Sequence, residues 1–230
     1  MQLTIIIPIY NEIKTIKLLL KKVLKLKIKK QIIIVDDLST DGSREFIISK
    51  KNLFHKLILH KRNMGKGSAI ISSKRYIRGK YVIIQDADLE YDPNDYHKLL
   101  KEIKSKNLKV VYGSRVLKKN MYANIQNFSH VVRIWGNIFL TKISNFINNQ
   151  NLTDAHTCYK LIESKIFKSI ILKEKDFSFC PEITTKISLL GLKIKEVPIK
   201  YKGRTYKAGK KIGTIDGLRA IRTLIKYRFF

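Results

Sequence analysis

The stretch Tyr81-Val82-Ile83-Ile84-Gln85-Asp86-Ala87-Asp88-Leu89-Glu90-Tyr91-Asp92-Pro93 decides how this chain is read. Its first four residues are nearly all apolar and rich in β-branching, the composition of a strand buried on both faces. Three carboxylates, Asp86, Asp88 and Glu90, follow at once. If the backbone stays extended past Ile84, side chains two apart point the same way, and all three carboxylates face one small volume. Such a cluster repels itself unless a cation sits in it. Hard oxygen ligands suit Mg²⁺ or Mn²⁺, with substrate phosphate oxygens filling the remaining positions. The competing reading is a solvated acidic turn capped by Asp92-Pro93. Position favours the cation, because the carboxyl ends of strands are where open α/β sheets bind ligands.

Working outward, Leu3 to Ile9 and Gln31 to Val35 are again continuous apolar runs, as expected of strands covered on both faces in a parallel sheet. Between them Ile13 to Leu26 has helical periodicity, with Ile16, Leu19, Leu20, Val23 and Leu24 on one face and lysines on the other. The second run stops at Asp36-Asp37, and Ser39-Thr40-Asp41-Gly42-Ser43 supplies turn and cap chemistry for a helix from about Arg44. Leu57 to Leu59 reads as a third strand. Met64-Gly65-Lys66-Gly67 then opens a helix through Tyr76, a glycine turn able to cradle phosphate on backbone N–H groups. A helix is expected from Pro93 to Lys104 and a strand from Val110, finishing on Arg115. The alternation predicts a mostly parallel, doubly wound α/β sheet with helices on both faces.

Beyond Arg115, Met121 to Asn148 reads as one helix. Val131, Ile134, Trp135, Ile138, Phe139, Ile143 and Phe146 recur at helical spacing, and such a stripe is read as core. A helix near Pro181 to Leu190 precedes a strand from Ile194 to Tyr201. Gly203 to Gly213 is glycine-rich and basic. It leads into Ile215 to Phe230, an amphipathic helix with Arg219, Arg222, Lys226 and Arg228 among apolar residues, suited to an anionic membrane surface.

At 230 residues with 44% hydrophobic content, the chain is one large domain or two small ones with a real core, and with no linker in the sequence a single domain is expected. The formal net charge of +29 fits an anionic membrane or phosphorylated substrates. Compositional drift is the alternative, since lysine is spread along the whole chain. No basic stretch carries a nucleic-acid module, so no nucleic-acid partner is expected. Cys158 and Cys180 are too few for a disulfide framework and fit a reducing compartment. No run reaches the ~18 apolar residues of a membrane span, and no signal peptide opens the chain, so a cytoplasmic location is expected.

Taken in order, Ile7-Pro8-Ile9-Tyr10-Asn11-Glu12, Val35-Asp36-Asp37-Leu38-Ser39-Thr40-Asp41-Gly42-Ser43, Asn63-Met64-Gly65-Lys66-Gly67, Asp86-Ala87-Asp88-Leu89-Glu90 and Gly113-Ser114-Arg115 resemble a family 2 glycosyltransferase of the GT-A fold. Their order and spacing match the branch of dolichol-phosphate and polyprenol-phosphate mannosyl- and glucosyltransferases. The resemblance implies that residues 1–115 form the nucleotide-sugar-binding half and residues 116–230 the acceptor half. It implies a nucleotide-sugar site of Pro8, Tyr10, Glu12, Val35, Asp37, Lys66, Asp86, Ala87, Asp88, Arg115, Arg204 and Lys210. A divalent ion, Mg²⁺ or Mn²⁺, would be held by Asp88, Glu90 and Asp86, and the acceptor phosphate by Arg115 and Arg133. Glu90 departs from the Gln frequent in mannosyl members.

The reaction so implied moves one hexose, with inversion, from a UDP- or GDP-sugar to polyprenyl phosphate at the cytoplasmic membrane face. Catalysis would rest on Asp88 and Arg115, since positive charge must neutralise the departing diphosphate. A phosphate acceptor is already ionised and needs no strong base. A hydroxyl acceptor, the alternative, needs one, and Asp154 or Glu182 is the candidate. A more remote reading keeps the fold without catalysis, as a basic nucleic-acid or membrane adaptor.

Overall fold

The computed structural model describes residues 1–117, 128–204 and 214–230, the side chains of 128–133 and 214 excepted. Seven strands form one sheet: β1 (Leu3–Ile9), β2 (Lys30–Asp36), β3 (Lys56–Leu59), β4 (Tyr81–Ile84), β5 (Val110–Ser114), β6 (Lys160–Glu163) and β7 (Lys195–Pro198), in the order β3-β2-β1-β4-β6-β5-β7. β1 lies parallel to β2 and β4, β2 to β3, and β5 to β7. Ile5, Ile6, Ile7, Ile33, Ile34 and Ile83 are wholly buried, which is why these strands read as unbroken apolar runs rather than alternating ones.

The helices are α1 (Ile13–Lys25), α2 (Ser43–Ser49), α3 (Lys66–Ser73), α4 (Tyr96–Ser105), α5 (Phe128–Asn148), α6 (Ser164–Ser169), α7 (Phe179–Leu189) and α8 (Thr214–Phe229). On α1, Ile16, Leu19, Leu20 and Val23 are buried and the lysines face water, as the periodicity predicts, whereas Leu24, expected on the same face, is exposed.

Two features differ from the sequence expectation. Lys160–Glu163 is a strand, antiparallel to both β4 and β5, and it separates them in the sheet. It opens on a wholly buried lysine, whose ammonium donates to the Ala155 carbonyl at 2.7 Å and lies 4.0 Å from the centre of the Tyr112 ring. The second concerns α5. Its apolar stripe is not core throughout: Ile134 is buried, whereas Trp135, Phe139 and Phe146 are 63%, 60% and 90% exposed. The buried positions Ile134, Thr141, Ser144 and Asn148 lie on one side, and Trp135, Phe139, Lys142 and Phe146 form the opposite face. α5 packs against α7 and α8, and these neighbours cover only the first side. α8 repeats the pattern: Ala220, Thr223 and Leu224 are buried, and Ile215, Leu218, Arg222, Ile225 and Phe229 face out at helical spacing. Among the described residues no helix is long and apolar enough to cross a membrane.

Candidate active site

The chain leaves β1, β2 and β4 on the same edge of the sheet. Just beyond each strand one non-glycine residue takes a left-handed backbone: Asn11 (φ 54°), Leu38 (φ 64°) and Leu89 (φ 62°). Leucine is rare in that region, and strain of this kind gathers at functional sites. The expected carboxylate geometry is corrected: the backbone turns after Ile84 instead of running extended, with Asp86 paired to Lys66 and Asp88 and Glu90 both beside Arg204. Among the described residues no group of three or more His, Cys, Asp or Glu is arranged to hold a metal ion.

Each carboxylate has its own partners. Asp86 pairs with the Lys66 ammonium. Burial alone would lower the Lys66 pKa, but Asp86 raises it further, and the lysine stays charged. Glu90 Oε2 accepts the Tyr201 hydroxyl at 2.7 Å, and its Oε1 accepts the Arg204 backbone N–H at 2.7 Å. The Arg204 guanidinium reaches Glu12 through two bonds of 3.0 Å and Asp88 at 3.2 Å. Asp88 has the strongest need for positive charge. Its pKa is pushed up to about 7, first by burial and then by the negative Asp86 and Glu90, against the smaller pull of Arg204.

These donors fit a divalent ion in a reduced form. Asp88 and Glu90 both face the Arg204 cation, and Mg²⁺ characteristically takes one or two carboxylates and completes its shell with water and phosphate oxygens. Asp86 is committed to Lys66.

Asp37 is an anchor. Its Oδ1 accepts the Met64 N–H at 2.8 Å and lies 2.7 Å from His60 Nδ1, while its Oδ2 accepts the Gly65 N–H at 2.7 Å. With Ser68 N–H bound to the Lys175 carbonyl at 3.1 Å, these loop donors are engaged within the protein and do not form the phosphate cradle that the glycines suggested. The glycines serve packing instead. Gly65 sits at φ 88°, and a β-carbon there would lie 2.5 Å from the Lys175 carbonyl oxygen; one on Gly67 would lie 2.2 Å from that of Glu174. The loop thus aims Lys66 at Asp86. Of the other expected nucleotide-site residues, Tyr10 is part-exposed just past β1 and Pro8 half-buried within it, while Val35 and Ala87 are buried.

On the other side of β6, at the end of β5, Arg115 and Asp154 form a tight fork. Arg115 Nε donates to Asp154 Oδ2 at 2.6 Å and Nη2 to Oδ1 at 2.7 Å, and the Arg115 backbone N–H adds a third bond at 3.1 Å. The guanidinium lies 5.1 Å from the centre of the Tyr201 ring. Burial alone would raise the Asp154 pKa, but Arg115 outweighs it and holds the carboxyl below its usual value. Glu182 faces inward at the start of α7. It accepts the Lys173 and Glu174 backbone N–H groups at 2.7 and 2.9 Å and pairs with Lys186. Neither carboxylate is placed as a free base. The Arg133 side chain and Lys210 lie outside the described residues.

Sequence reasoning missed the aromatic floor and one imidazole. Tyr91 packs tilted against Tyr159 and edge-on against Tyr201, and Tyr201 touches both Glu90 and Arg115, joining the two sides. His156, two residues from Asp154, has an Nε2 that is buried without a hydrogen-bond partner. Its pKa is pushed down to about 4, chiefly by burial and then by Lys160. The polar density of residues 152–160 was the one available signal.

Comparison with known proteins shows the fold and the family. A solved structure of glucosyl-3-phosphoglycerate synthase from Mycobacterium tuberculosis, in complex with Mn²⁺, UDP and phosphoglyceric acid, superposes with a TM-score of 0.70 over all of this chain and 79% of that one. At 13% identity the likeness shows the fold, GT-A. The chain is 30% identical over 234 residues to an uncharacterized protein of Methanocaldococcus jannaschii, covering 100% of this chain and 93% of that one. It is 26% identical to an undecaprenyl-phosphate mannosyltransferase of Micrococcus luteus, over 94% of this chain and 90% of the relative. A dolichyl-phosphate beta-glucosyltransferase of Trichomonas vaginalis is 29% identical over 86% of this chain and 65% of its own length. Residues 4–171 match Glycosyl transferase family 2, and the chain is an enzyme of that family.

Proposed function

We propose that the enzyme moves one hexose from a UDP- or GDP-sugar to a polyprenyl phosphate, with inversion, at an anionic membrane surface. The observation that carries the choice of acceptor is the state of Asp154 and Glu182. A hydroxyl nucleophile must lose a proton to a base, and both candidate bases are committed, Asp154 to Arg115 and Glu182 to the backbone at Lys173 and Glu174. A phosphate monoester needs no such base near neutral pH. It needs positive charge and orientation, which Arg115 supplies from a position fixed by Asp154 and Tyr201. The relatives named for dolichyl and undecaprenyl phosphate support the same reading.

The residues divide the work. Asp88 and Glu90 would hold the divalent ion, which when bound neutralises charge developing on the departing diphosphate. Lys66, paired with Asp86, and Arg204, beside Asp88, add positive charge to the same region. Exposed apolar and cationic stripes on α5 and α8 suit an interface where the lipid tail stays in the bilayer. Arg219 and Lys226 are partly occupied with Asp176, Asp216 and Glu174, so the exposed apolar residues carry more of this contact than charge alone suggests.

Purified protein with Mn²⁺, polyprenyl phosphate and, separately, UDP-glucose and GDP-mannose should yield a glycosylated lipid phosphate with one donor. No product with either donor overturns the assignment of substrates. Replacing Trp135 and Phe139 with serine should release the protein from anionic liposomes in flotation while leaving nucleotide binding intact; equal flotation of both proteins removes α5 from the interface.

A further inference from the structure

Arg204 is separated from Glu12 by 192 positions, yet it draws together the end of β1 and the carboxylate turn after β4. Its terminal nitrogens hold Glu12 Oε1 and Oε2 at 3.0 Å, and Nη2 also reaches Asp88 Oδ2 at 3.2 Å. The third side-chain nitrogen is unspent: Nε is buried with no hydrogen-bond partner, 3.8 Å from Glu90 Oε1. A guanidinium built in for permanence uses its whole fork, and a buried donor left unmade is a cost. Arg204 is therefore a good but incomplete match for three carboxylates.

Two of those carboxylates, Asp88 and Glu90, are the donors assigned above to the divalent ion. An ion bonded to them at about 2 Å would crowd and repel a guanidinium that lies 3.2 Å from one Asp88 oxygen and 3.8 Å from one Glu90 oxygen. A diphosphate removes the conflict. Its oxygens would complete the ion's shell, and they would also offer the planar guanidinium a bidentate anionic partner. We infer that Arg204 is the resident cation of the carboxylate site in the donor-free enzyme, and that it yields Asp88 and Glu90 to the divalent ion when a nucleoside diphosphate arrives to accept its fork.

The consequence is a positive coupling between ion and diphosphate whose origin is one side chain. Coupling of this kind is reciprocal: whatever the diphosphate does for ion affinity, the ion does for diphosphate affinity. The inference rests on the divalent-ion reading above and is independent of which acceptor the enzyme uses.

The test is titration of Mn²⁺, followed by the electron paramagnetic resonance of the free ion, with wild type, Arg204→Gln and Arg204→Lys, each alone and with UDP or GDP. Thermal unfolding checks that both variants are folded. Wild type should bind Mn²⁺ weakly alone and more tightly with diphosphate, by on the order of tenfold, an ordinary size for coupling between sites. Arg204→Gln should bind Mn²⁺ alone on the order of tenfold more tightly than wild type and gain less from diphosphate. Arg204→Lys, which keeps a charge but not the fork, should fall between. If wild type shows the diphosphate effect but Arg204→Gln binds the ion alone no more tightly than wild type, the exchange is wrong and the divalent-ion reading stands. If wild type takes up no Mn²⁺ with either diphosphate, both are wrong.

Discussion

Two arginines of the candidate site hold carboxylates, one on each side of β6, and they do so in opposite ways. Arg115 spends Nε, Nη2 and its backbone N–H on Asp154, whose own backbone N–H is in turn accepted by Glu196 at 3.0 Å. Arg204 spreads over Glu12, Asp88 and Glu90 and leaves Nε without a partner. In the first, both oxygens of Asp154 are taken and the guanidinium is held in one fixed position. The second has unmet demand on both sides, an idle donor and an Asp88 that resists ionisation. The difference teaches where this enzyme keeps rigidity and where it keeps room for exchange: the acceptor side is prebuilt, and the donor side is held by a substitute.

Breaking the prebuilt side should have the largest effect. Asp154→Ala leaves the Arg115 charge buried and unpaired, a change that typically costs about 3–5 kcal/mol. The midpoint of thermal unfolding should drop by about 10 °C or more, measured by calorimetry. A much smaller drop than that would remove the contrast with Arg204.

The exchangeable side predicts a gain instead. The Asp88 pKa is raised to about 7 from an ordinary 3.8, so the folded state disfavours the charged form. The resulting penalty is absent below pH 3.8, grows through the interval and is complete above about 7. Metal-free Asp88→Asn should therefore melt a few degrees above wild type at pH 8, with the advantage fading as pH falls, and should lose Mn²⁺-dependent nucleotide binding. His156 has the reverse sign. Its pKa lies at about 4 rather than 6.5, so stability is full above pH 6.5 and declines as pH falls towards 4. His156→Phe should flatten that acid-side decline and leave the profile above pH 7 unchanged. Thermal melts across pH 4 to 8 separate the two slopes, and an unaltered profile in either variant would refute its assignment.

Much of this fold was legible because its parallel strands are buried on both faces, which writes them into the chain as isoleucine runs at Leu3–Ile9, Lys30–Asp36 and Tyr81–Ile84. β6 was not legible. Four residues opening on a lysine carry no period, and they are strand only because β4 and β5 bracket them. The three acids of the site were equally plain as residue types, but the turn that replaces an extended run after Ile84, with Leu89 in a left-handed backbone, is one that no pattern announces. Long-range pairs were out of reach altogether: nothing near Glu12 signals Arg204, and nothing near Asp37 signals that its oxygens belong to Met64 and Gly65. The α5 stripe misled because periodicity reports that a face is apolar, not what covers it.

The antiparallel β6 also acts as a ruler. Because it lies between β4, which leads to Asp88, and β5, which leads to Arg115, the two ends are set two strand spacings apart, about 10 Å. That gap comes from backbone hydrogen bonding rather than from any side chain of the site. Substitutions can therefore alter what is gripped at either end without altering the span between the grips, and a donor and an acceptor must meet across a distance set by the sheet itself.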